Sequence, residues 1–353
     1  MRDFFNKYDI ANEIIAVGVS GGADSLALAL QMHELGISVV ALTVDHELRS
    51  ESRAEAEYVA KIMRQYGIEH HILTWKGDKP SNGIEEAARQ ARYRLLFEFC
   101  KKHSIKYLAT GHHLRDQAET FLLRLARGSG VFGLSGILPY SERDGIIILR
   151  PQLDKTPEEL RNYLKQKNIT WVEDPMNQVD DFLRVKIRNF LPQLNKITGI
   201  DEKRLAQTAF TLQQTRNFLQ KCCDEFIAEY VRYFTPYAAA IPLSRLSKTD
   251  NEIARLVLNE LIRQIGDLSY NPEAAALENI LSQKQNFKGC TLGGCELEVA
   301  SGKLWIIPQD DDAKVMSLQE WQNFVEQHKE FTNSGLPYKV RKAIKKYWKS
   351  NYE

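Results

Sequence analysis

The chain has few cysteines, no apolar run of membrane-spanning length and no large excess of one charge. A helix needs about 20 consecutive apolar residues to cross a bilayer, so we expect no membrane span. The formal net charge of +1 argues against a globally basic nucleic-acid-binding protein, and any RNA-binding charge must therefore be local. The first residues lack the apolar segment of a signal peptide, which favours a cytoplasmic location.

The five cysteines are odd in number and irregularly spaced, which argues against a disulfide framework. Cys290 and Cys295 form no Cys-x-x-Cys pair, and the next histidine is His328, so a zinc site would lack two ligands. With 353 residues, 43% hydrophobic and 26% charged, the composition predicts a globular protein of about two domains.

Short β-type runs alternate with helical patterns in the first part of the chain. The predicted strands are Ile14–Ser20, Ser38–Asp45, Glu69–Trp75, Tyr107–His112 and Ile146–Arg150, and the helices between the first four are Leu26–Leu35, Ser52–Tyr66 and Ile84–Lys102. A spacing of roughly 30 residues per unit is typical of βαβ connections, so we predict an α/β fold with a doubly wound, mainly parallel sheet. Ligands bind at the carboxyl ends of such strands.

The pattern changes to helices after Pro157, and one long helix is predicted from an N-cap at Asp201 to about Phe234. A smaller α+β region follows, with a helix over Ile253–Ile265 and a β-rich stretch around Cys290–Ile307. We therefore predict four parts, an α/β domain (1–200), a helical linker (201–240), a small α+β domain (241–310) and a basic, aromatic tail (311–353).

A glycine-rich turn between the first strand and the first helix is the most informative motif. It consists of Ser20, Gly21, Gly22, Ala23, Asp24 and Ser25. Such a turn directs backbone N–H groups and the positive end of a helix dipole at one point, and this arrangement favours the binding of a phosphate group there. The two serines add hydroxyl donors, and Asp24 is a candidate ligand for a divalent cation. The lysine of the Walker motif is absent, so this is not a P-loop of that type. The alternative interpretation is a glycine-rich turn that binds no ligand.

Two further clusters follow strands of the same sheet. Asp45 and His46 follow the second strand, where a nucleotide would lie, although a loop of mixed charge is the alternative. After the fourth strand, Gly111 permits close backbone approach and His112 lies beside it. Asp116 and Glu119 are three residues apart in the first turn of the next helix, so they share a face that can hold an ammonium group or Mg²⁺. Gln117 and Thr120 are candidates to orient these carboxylates.

This second cluster has two alternative interpretations. The acidic residues could simply stabilise the N-terminus of the helix, as they often do, or His112 and His113 could form a metal site. Adjacent residues of a strand point to opposite faces, which argues against the metal site.

Three arginines are candidates for phosphate contacts. Arg92 borders the apolar stripe of its helix, where a guanidinium needs an anionic partner, either a phosphate or a structural carboxylate. Arg184 and Arg188 are four residues apart on one helix face and suit the phosphates of ATP or RNA; a solvated face is the alternative.

The tail combines cations with aromatic residues. Its cations include Lys339, Arg341, Lys342, Lys345 and Lys346, and Tyr338, Tyr347, Trp348 and Tyr352 lie among them. Basic side chains contact phosphates and aromatic rings stack on bases, so the tail is a candidate RNA-binding segment. A solvated basic helix end is the alternative.

Together these motifs resemble the tRNA(Ile)-lysidine synthetase family. The resemblance covers about residues 12–190 and includes the turn Ser20–Ser25, Asp45–Arg49, the block Gly111–Thr120, Arg127–Gly130, Arg150-Pro151 and Asp174-Pro175 leading to Arg188. The turn alone indicates the PP-loop ATP-pyrophosphatase superfamily, and the block Gly111–Thr120 narrows it to this family. The sequence departs from the family at Gln152, Met176 and Val185, where Leu, Ser and Asn are usual.

The resemblance implies an adenine nucleotide alpha-hydrolase-like PP-loop domain and a specific ligase reaction. ATP with Mg²⁺ would adenylate the oxygen at carbon-2 of the wobble cytidine in the CAU anticodon of tRNA(Ile). The ε-amine of free L-lysine would then displace AMP and form lysidine. In this scheme Asp116 and Glu119 would hold the lysine, and Arg92 and Arg184 would be catalytic. Arg184, Arg188 and the tail cations would contact tRNA. Residues 1–200 would form the PP-loop catalytic domain, and the small α+β domain of residues 241–310 would bind the tRNA.

Three other functions stay open at this point. A tRNA thiolase of the same superfamily needs reactive cysteines, but the first 200 residues contain only Cys100. An amidotransferase-type synthetase needs a source of ammonia, and no glutaminase domain is evident. A non-catalytic nucleotide-binding regulator would not need Asp116, Glu119 and Arg92 together. The sequence does not give the oligomeric state, for which a homodimer is one candidate.

Overall fold

The computed structural model describes two compact units, Met1–Arg216 and Asn217–Glu353. Its described residues are 1–48, 51–77, 79–80, 83–173, 183–235, 238–268, 271–283, 286–309, 318–327 and 336–344. No helix in these ranges is both long enough and apolar enough to span a bilayer.

The first unit contains a six-stranded sheet in the order β3-β2-β1-β4-β6-β5. The strands are β1 (Ile14–Gly18), β2 (Ser38–Asp45), β3 (Glu69–Thr74), β4 (Tyr107–Ala109), β5 (Tyr140–Arg143) and β6 (Ile146–Leu149). All pairs are parallel except β5 with β6. The predicted parallel sheet is therefore confirmed, while β5 was missed because this exposed edge strand has no apolar run.

Helices cover both faces of this sheet. They are α1 (Arg2–Lys7), α2 (Ala23–Glu34), α3 (Ser52–Gln65), α4 (Ile84–Lys102), α5 (Leu114–Ala126), α6 (Val131–Leu134), α7 (Pro157–Gln166) and α8 (Leu183–Thr198). Ile15 and Val17 of β1 belong to the core cluster that contains α2, whereas Ala16 belongs to the cluster that contains α4. Because successive strand residues point to opposite faces, this division confirms the doubly wound arrangement.

A long helix, α9 (Glu202–Tyr230), begins in the first unit and ends in the second. The Asp201 carboxylate accepts a hydrogen bond from the Arg204 N–H at 2.8 Å, as the predicted N-cap requires. The predicted end near Phe234 is wrong, because strand β7 (Arg232–Thr235) starts soon after Tyr230 and Phe234 is buried in a core cluster with Trp305.

The second unit contains a five-stranded antiparallel sheet in the order β7-β8-β11-β10-β9. Its other elements are β8 (Ala238–Pro242), α10 (Leu243–Leu246), α11 (Asn251–Ile265), α12 (Ala274–Gln283), β9 (Gly289–Leu292), β10 (Cys295–Ala300), β11 (Lys303–Pro308) and α13 (Leu318–Gln327). Residues 338–344 are also helical, and Val340 and Ile344 are fully buried in the cluster that contains Trp305. Residues 338–344 of the predicted tail therefore contribute to the core of this unit.

Candidate active site

The glycine-rich turn between β1 and α2 is held by its own hydrogen bonds. Gly21 has a φ of +88°, a conformation that glycine adopts without strain. The Ser25 hydroxyl accepts from the Ser20 N–H at 3.1 Å and donates to the Gly22 carbonyl at 3.1 Å. The Ser25 hydroxyl, one of the two predicted phosphate donors, therefore stabilises the turn itself. Ser20, the other predicted donor, is exposed to solvent.

The end of β4 lies directly against the start of α2. A Cβ atom on Gly111 would lie 3.0 Å from the backbone carbon of Asp24 and 3.0 Å from the nitrogen of Ser25. Real Cβ contacts are rarely this close, so only glycine fits without displacing the backbone. This approach brings the Gly111–Thr120 block next to the glycine-rich turn.

His113 connects that turn to the first of the two predicted carboxylates. Its Nε2 lies 3.6 Å from Oδ2 of Asp24. On the other side of the ring, Nδ1 accepts from the Asp116 N–H at 3.3 Å, and the His113 N–H donates to Oδ2 of Asp116 at 3.0 Å. These reciprocal bonds form a capping box at the start of α5. One imidazole therefore lies between Asp24 and Asp116.

Glu119 is fully buried beside two arginines of α8. Its Oε1 accepts from Nε of Arg188 at 2.8 Å, and its Oε2 lies 3.4 Å from Nε of Arg184. Among the described residues, Oε2 has no hydrogen-bond partner. Arg184 also donates to the Thr120 hydroxyl at 3.3 Å. The two arginines predicted to meet phosphates thus share one carboxylate, which leaves this group with a net positive charge.

The environments of the two carboxyl groups move their pKa values in opposite directions. Burial alone would raise the pKa of Asp116, but His113, His112, the His113 N–H and Arg184 together lower it. Burial raises the pKa of Glu119 more than Arg188 lowers it, and Asp116 adds to the increase. The surroundings therefore favour the ionised form more strongly in Asp116 than in Glu119.

His112 lies in a strongly cationic environment. Burial and the positive charges of Arg150, Arg89 and Arg184 lower the pKa of His112 to about 4. The negative charge of Asp116 raises this pKa, but by less than the other groups lower it. Its Nδ1 lies 2.9 Å from the Thr110 hydroxyl. The ring is consequently neutral near pH 7 and available as a hydrogen-bonding group beside several guanidinium groups.

The end of β2 forms the other side of the site. Asp45 is buried and accepts from the Glu47 N–H at 3.0 Å and from the Ser52 hydroxyl. Burial, helped by Arg92, lowers the pKa of His46 to about 4. Neither ring nitrogen of His46 has a partner among the described residues. Arg92 of α4 is exposed, and it is close enough to His46 to lower the pKa of that ring.

Comparisons with known proteins identify the family of this chain. Residues 1–194 match the family described as "PP-loop domain". The tRNA(Ile)-lysidine synthase of Ruegeria pomeroyi is 35% identical over 80% of this chain and 68% of its own length. The enzyme of the same name from Rhodopseudomonas palustris is 34% identical over 87% of this chain and 93% of its own length. The chain belongs to the tRNA(Ile)-lysidine synthase family.

A solved structure supports the fold of this tRNA(Ile)-lysidine synthase family member. The U34-tRNA thiolase from Methanococcus maripaludis, solved with its [4Fe-4S] cluster, superimposes with a TM-score of 0.51. The match covers 60% of this chain and 78% of the thiolase at 18% identity, which shows a shared fold alone.

Most predicted site residues of this tRNA(Ile)-lysidine synthase family member lie in the first unit. Arg49, Asp174–Asn177, Lys345 and Lys346 lie outside the described residues. Lys339 forms an ion pair with Glu296, and the helix of residues 338–344 also carries Arg341 and Lys342. Val185, one of the departures from the family pattern, is buried on the inner side of α8.

The expected role of Gln117 is wrong. Its amide donates to the Ile137 carbonyl at 2.7 Å and accepts from the Ile137 N–H at 2.6 Å, so it fixes a loop and does not orient the carboxylates.

Sequence reasoning also missed the roles of three residues of the site. His113 is the link described above; the signal was its position three residues before Asp116, which is the spacing of a capping box. Arg89 and Arg150 act on His112 from α4 and from the end of β6. Nothing in the sequence indicates that these distant arginines meet, because their proximity depends on the order of strands in the sheet.

Proposed function

We propose that the chain ligates lysine to carbon-2 of the wobble cytidine in the CAU anticodon of tRNA(Ile), with ATP as co-substrate. The reaction would pass through an adenylated tRNA and release diphosphate and AMP. One observation carries the proposal: Asp24 of the glycine-rich turn, His113 and Asp116 form a continuous set of contacts, with Glu119 one helical turn further on. Family membership supports the same reaction, because its curated relatives bear the name of this enzyme.

The first step needs stabilisation of charge on the phosphates. The cytidine oxygen attacks the α-phosphorus of ATP, and diphosphate leaves with the electrons of the broken P–O bond. The free N–H groups at the start of α2 are suited to bind these phosphates, and Arg92 would add a positive charge from α4. Fixed donors of this kind stabilise the developing negative charge without reorganisation.

Asp24 is suited to hold Mg²⁺ together with ATP. Its side chain is 37% exposed at the first turn of α2, and Mg²⁺ commonly takes one or two protein carboxylates plus phosphate oxygens. The described residues contain no cluster of three or more metal-binding side chains, which fits a cation held largely by the nucleotide. When bound, the cation would neutralise phosphate charge.

The second step needs a neutral amine, because the lysine ammonium has no lone pair. The ionised Asp116 would bind and orient the ammonium group, and Glu119, with its raised pKa, would accept the proton. The amine then bonds to carbon-2, and AMP leaves with the oxygen that ATP activated. Arg184 and Arg188 are suited to stabilise the Glu119 carboxylate and the nearby phosphates.

The competing thiolase chemistry has little support in these residues. Cys100 is fully buried, and burial raises the pKa of its thiol to about 11. A thiol in this state is a poor nucleophile, because the thiolate is the reactive form.

The proposal is tested by incubating the purified chain with labelled lysine, ATP and total tRNA. We expect ATP-dependent label in the CAU-anticodon isoleucine tRNA and none when that tRNA is removed. Sulfur incorporation without lysine uptake would overturn the proposal. Sedimentation of the same sample distinguishes a monomer from a homodimer, and fractionation of the source cells tests the cytoplasmic location that a reaction on tRNA and free lysine requires.

A further inference from the structure

Helix α8 has two faces that differ in their surroundings. Its inner face carries the buried Val185 and Leu191, and Leu191 packs with Ala118 and Phe121 of α5. Arg188 extends from the same side to Glu119. This face accounts for the ordinary amphipathic pattern of a surface helix.

The outer face of α8 is also apolar, which a surface helix does not need. Leu183, Phe190 and Ile197 follow one another at intervals of seven residues, and they are 52%, 45% and 79% exposed. Lys186, also exposed, lies on the same side because it is three residues after Leu183 and four before Phe190. We call these four residues the outer stripe. Residues seven apart lie about 10 Å from one another along a helix, so the three apolar side chains form a spaced row on one exposed face. We treat this row as a candidate binding surface.

The charge of α8 indicates what kind of partner the outer stripe fits. The helix contains no Asp or Glu, and its basic residues are Lys186 of the outer stripe, Lys196, and the two arginines that share Glu119. An anionic partner that also presents flat apolar surfaces matches this combination, and single-stranded RNA has both phosphates and bases. A second copy of the chain fits less well, because a symmetric contact would place the same basic helix, which has no Asp or Glu, on both sides of the interface.

The stripe is also close to the candidate site. The inner and outer faces of one helix are separated by about 10 Å. An RNA loop that delivers one nucleotide to Glu119 can therefore lay neighbouring nucleotides across α8. Bases that leave their stack to expose a target nucleotide need new stacking partners, and an exposed aromatic ring is the usual one.

We propose that the outer stripe of α8 binds the unstacked nucleotides of the anticodon loop, with Phe190 stacking on a base and Lys186 contacting a phosphate. This inference rests on the proposed function for the identity of the RNA. It assigns a role to side chains that do not contact the reacting atoms.

The test is the affinity of the full chain for a fluorescent anticodon stem-loop with a CAU anticodon. Phe190→Ala and Phe190→Leu should each weaken binding about tenfold or more, whereas Phe190→Tyr should bind as the wild type does. Leucine preserves apolar area without a π-face, so this pair separates stacking from simple burial. Lys186→Gln should weaken binding and lower the slope of log affinity against log salt by about one.

The matched control is Phe218→Ala, because Phe218 is another exposed phenylalanine, 66% exposed, on α9. This variant should keep wild-type affinity. Thermal midpoints of all variants should equal that of the wild type, since the substituted side chains are exposed. The KM for tRNA should rise in Phe190→Ala, while the KM values for ATP and lysine stay unchanged.

Two outcomes overturn the inference. One is wild-type stem-loop affinity in Phe190→Ala. The other is conversion of a dimer to a monomer by Ile197→Ser with unchanged RNA affinity, which would make the stripe a contact between copies. If the wild type binds the stem-loop through Phe190 but transfers no lysine, the proposed function fails and the inference about RNA binding stands.

Discussion

At the scale of single residues, Asp116 and Glu119 lie within one turn of a helix, but their surroundings shift their pKa values in opposite directions. Asp116 lies beside two histidines and a backbone N–H, whereas Glu119 is fully buried and its Oε2 lacks a hydrogen bond among the described residues. The sequence spacing predicts that the two carboxylates share a face. It does not predict which has the raised pKa, because that depends on burial and on Arg184 and Arg188, which are distant in sequence.

We expect Asp116→Asn to abolish lysine transfer while ATP binding stays near the wild-type level. The amide oxygen can still accept from the His113 N–H, so the capping box survives, but the charge that binds an ammonium group is lost. Lysine incorporation and ATP affinity measured on the same preparation check this. Wild-type turnover in Asp116→Asn would refute the role of this carboxylate.

His113 should make stability depend on pH. Burial lowers its pKa, but Asp24, Asp116 and Glu119 outweigh burial and raise the pKa above its ordinary value of 6.5. A raised folded-state pKa contributes stability that is fully present below about pH 6.5 and is lost as the pH rises through the folded-state pKa. Both nitrogens of the charged ring are donors, so Nδ1 then gives up the bond that it accepts from the Asp116 N–H and donates instead to the Asp116 carboxylate, whose Oδ2 lies 3.3 Å away. His113→Asn retains an N-cap acceptor that cannot become charged.

The measurement is the free energy of unfolding from denaturant titrations at pH 6 and pH 9. The wild type should lose more stability than His113→Asn over this interval. Equal losses in both proteins would show that His113 is not charged in the folded state.

At the scale of elements, the contact between the end of β4 and the start of α2 brings the site together. We expect Gly111→Ala to weaken ATP binding at least tenfold and to lower the free energy of unfolding by about 1–3 kcal/mol, because its Cβ would overlap the backbone of Asp24 and Ser25. Nucleotide affinity and denaturant titration check both effects.

Gly130→Ala is the matched control for this prediction. Gly130 has a φ of −79°, and a Cβ there would meet nothing within 4 Å. Its ATP affinity should equal that of the wild type. Similar losses in both variants would mean that glycine at position 111 has no specific role in the approach of β4 to α2.

Elements with a strong pattern were predicted well from the sequence, and those without one were not. Strand β2 and helix α4 have the predicted bounds, since a continuous apolar strand and a long periodic helix are unambiguous. Strand β5 is exposed and short, and strand β7 follows α9 without a glycine or proline to mark the boundary. The convergence of Arg89, Arg150 and Arg184 on His112 depends on strand order, which periodicity does not contain.

At the scale of the whole molecule, a net charge of +1 requires that RNA-binding charge be concentrated in a few places. The outer stripe of α8 belongs to the first unit, and the basic tail to the second. We expect the two surfaces to bind RNA in different ways. The outer stripe should bind the unstacked nucleotides of the anticodon loop, whereas the tail cations should contact phosphates without regard to sequence.

Removal of residues 345–353 should therefore weaken binding of full-length tRNA while leaving the affinity for the anticodon stem-loop unchanged. A cut at this point keeps the buried Val340 and Ile344, which a deletion from Tyr338 would remove from the core of the second unit. The slope of log affinity against log salt should fall by about one for each phosphate contact that is lost. Titrations of both RNAs at several salt concentrations provide the test. If the truncated chain binds full-length tRNA with unchanged affinity and unchanged salt dependence, the segment after Ile344 does not bind RNA and is a solvated basic end.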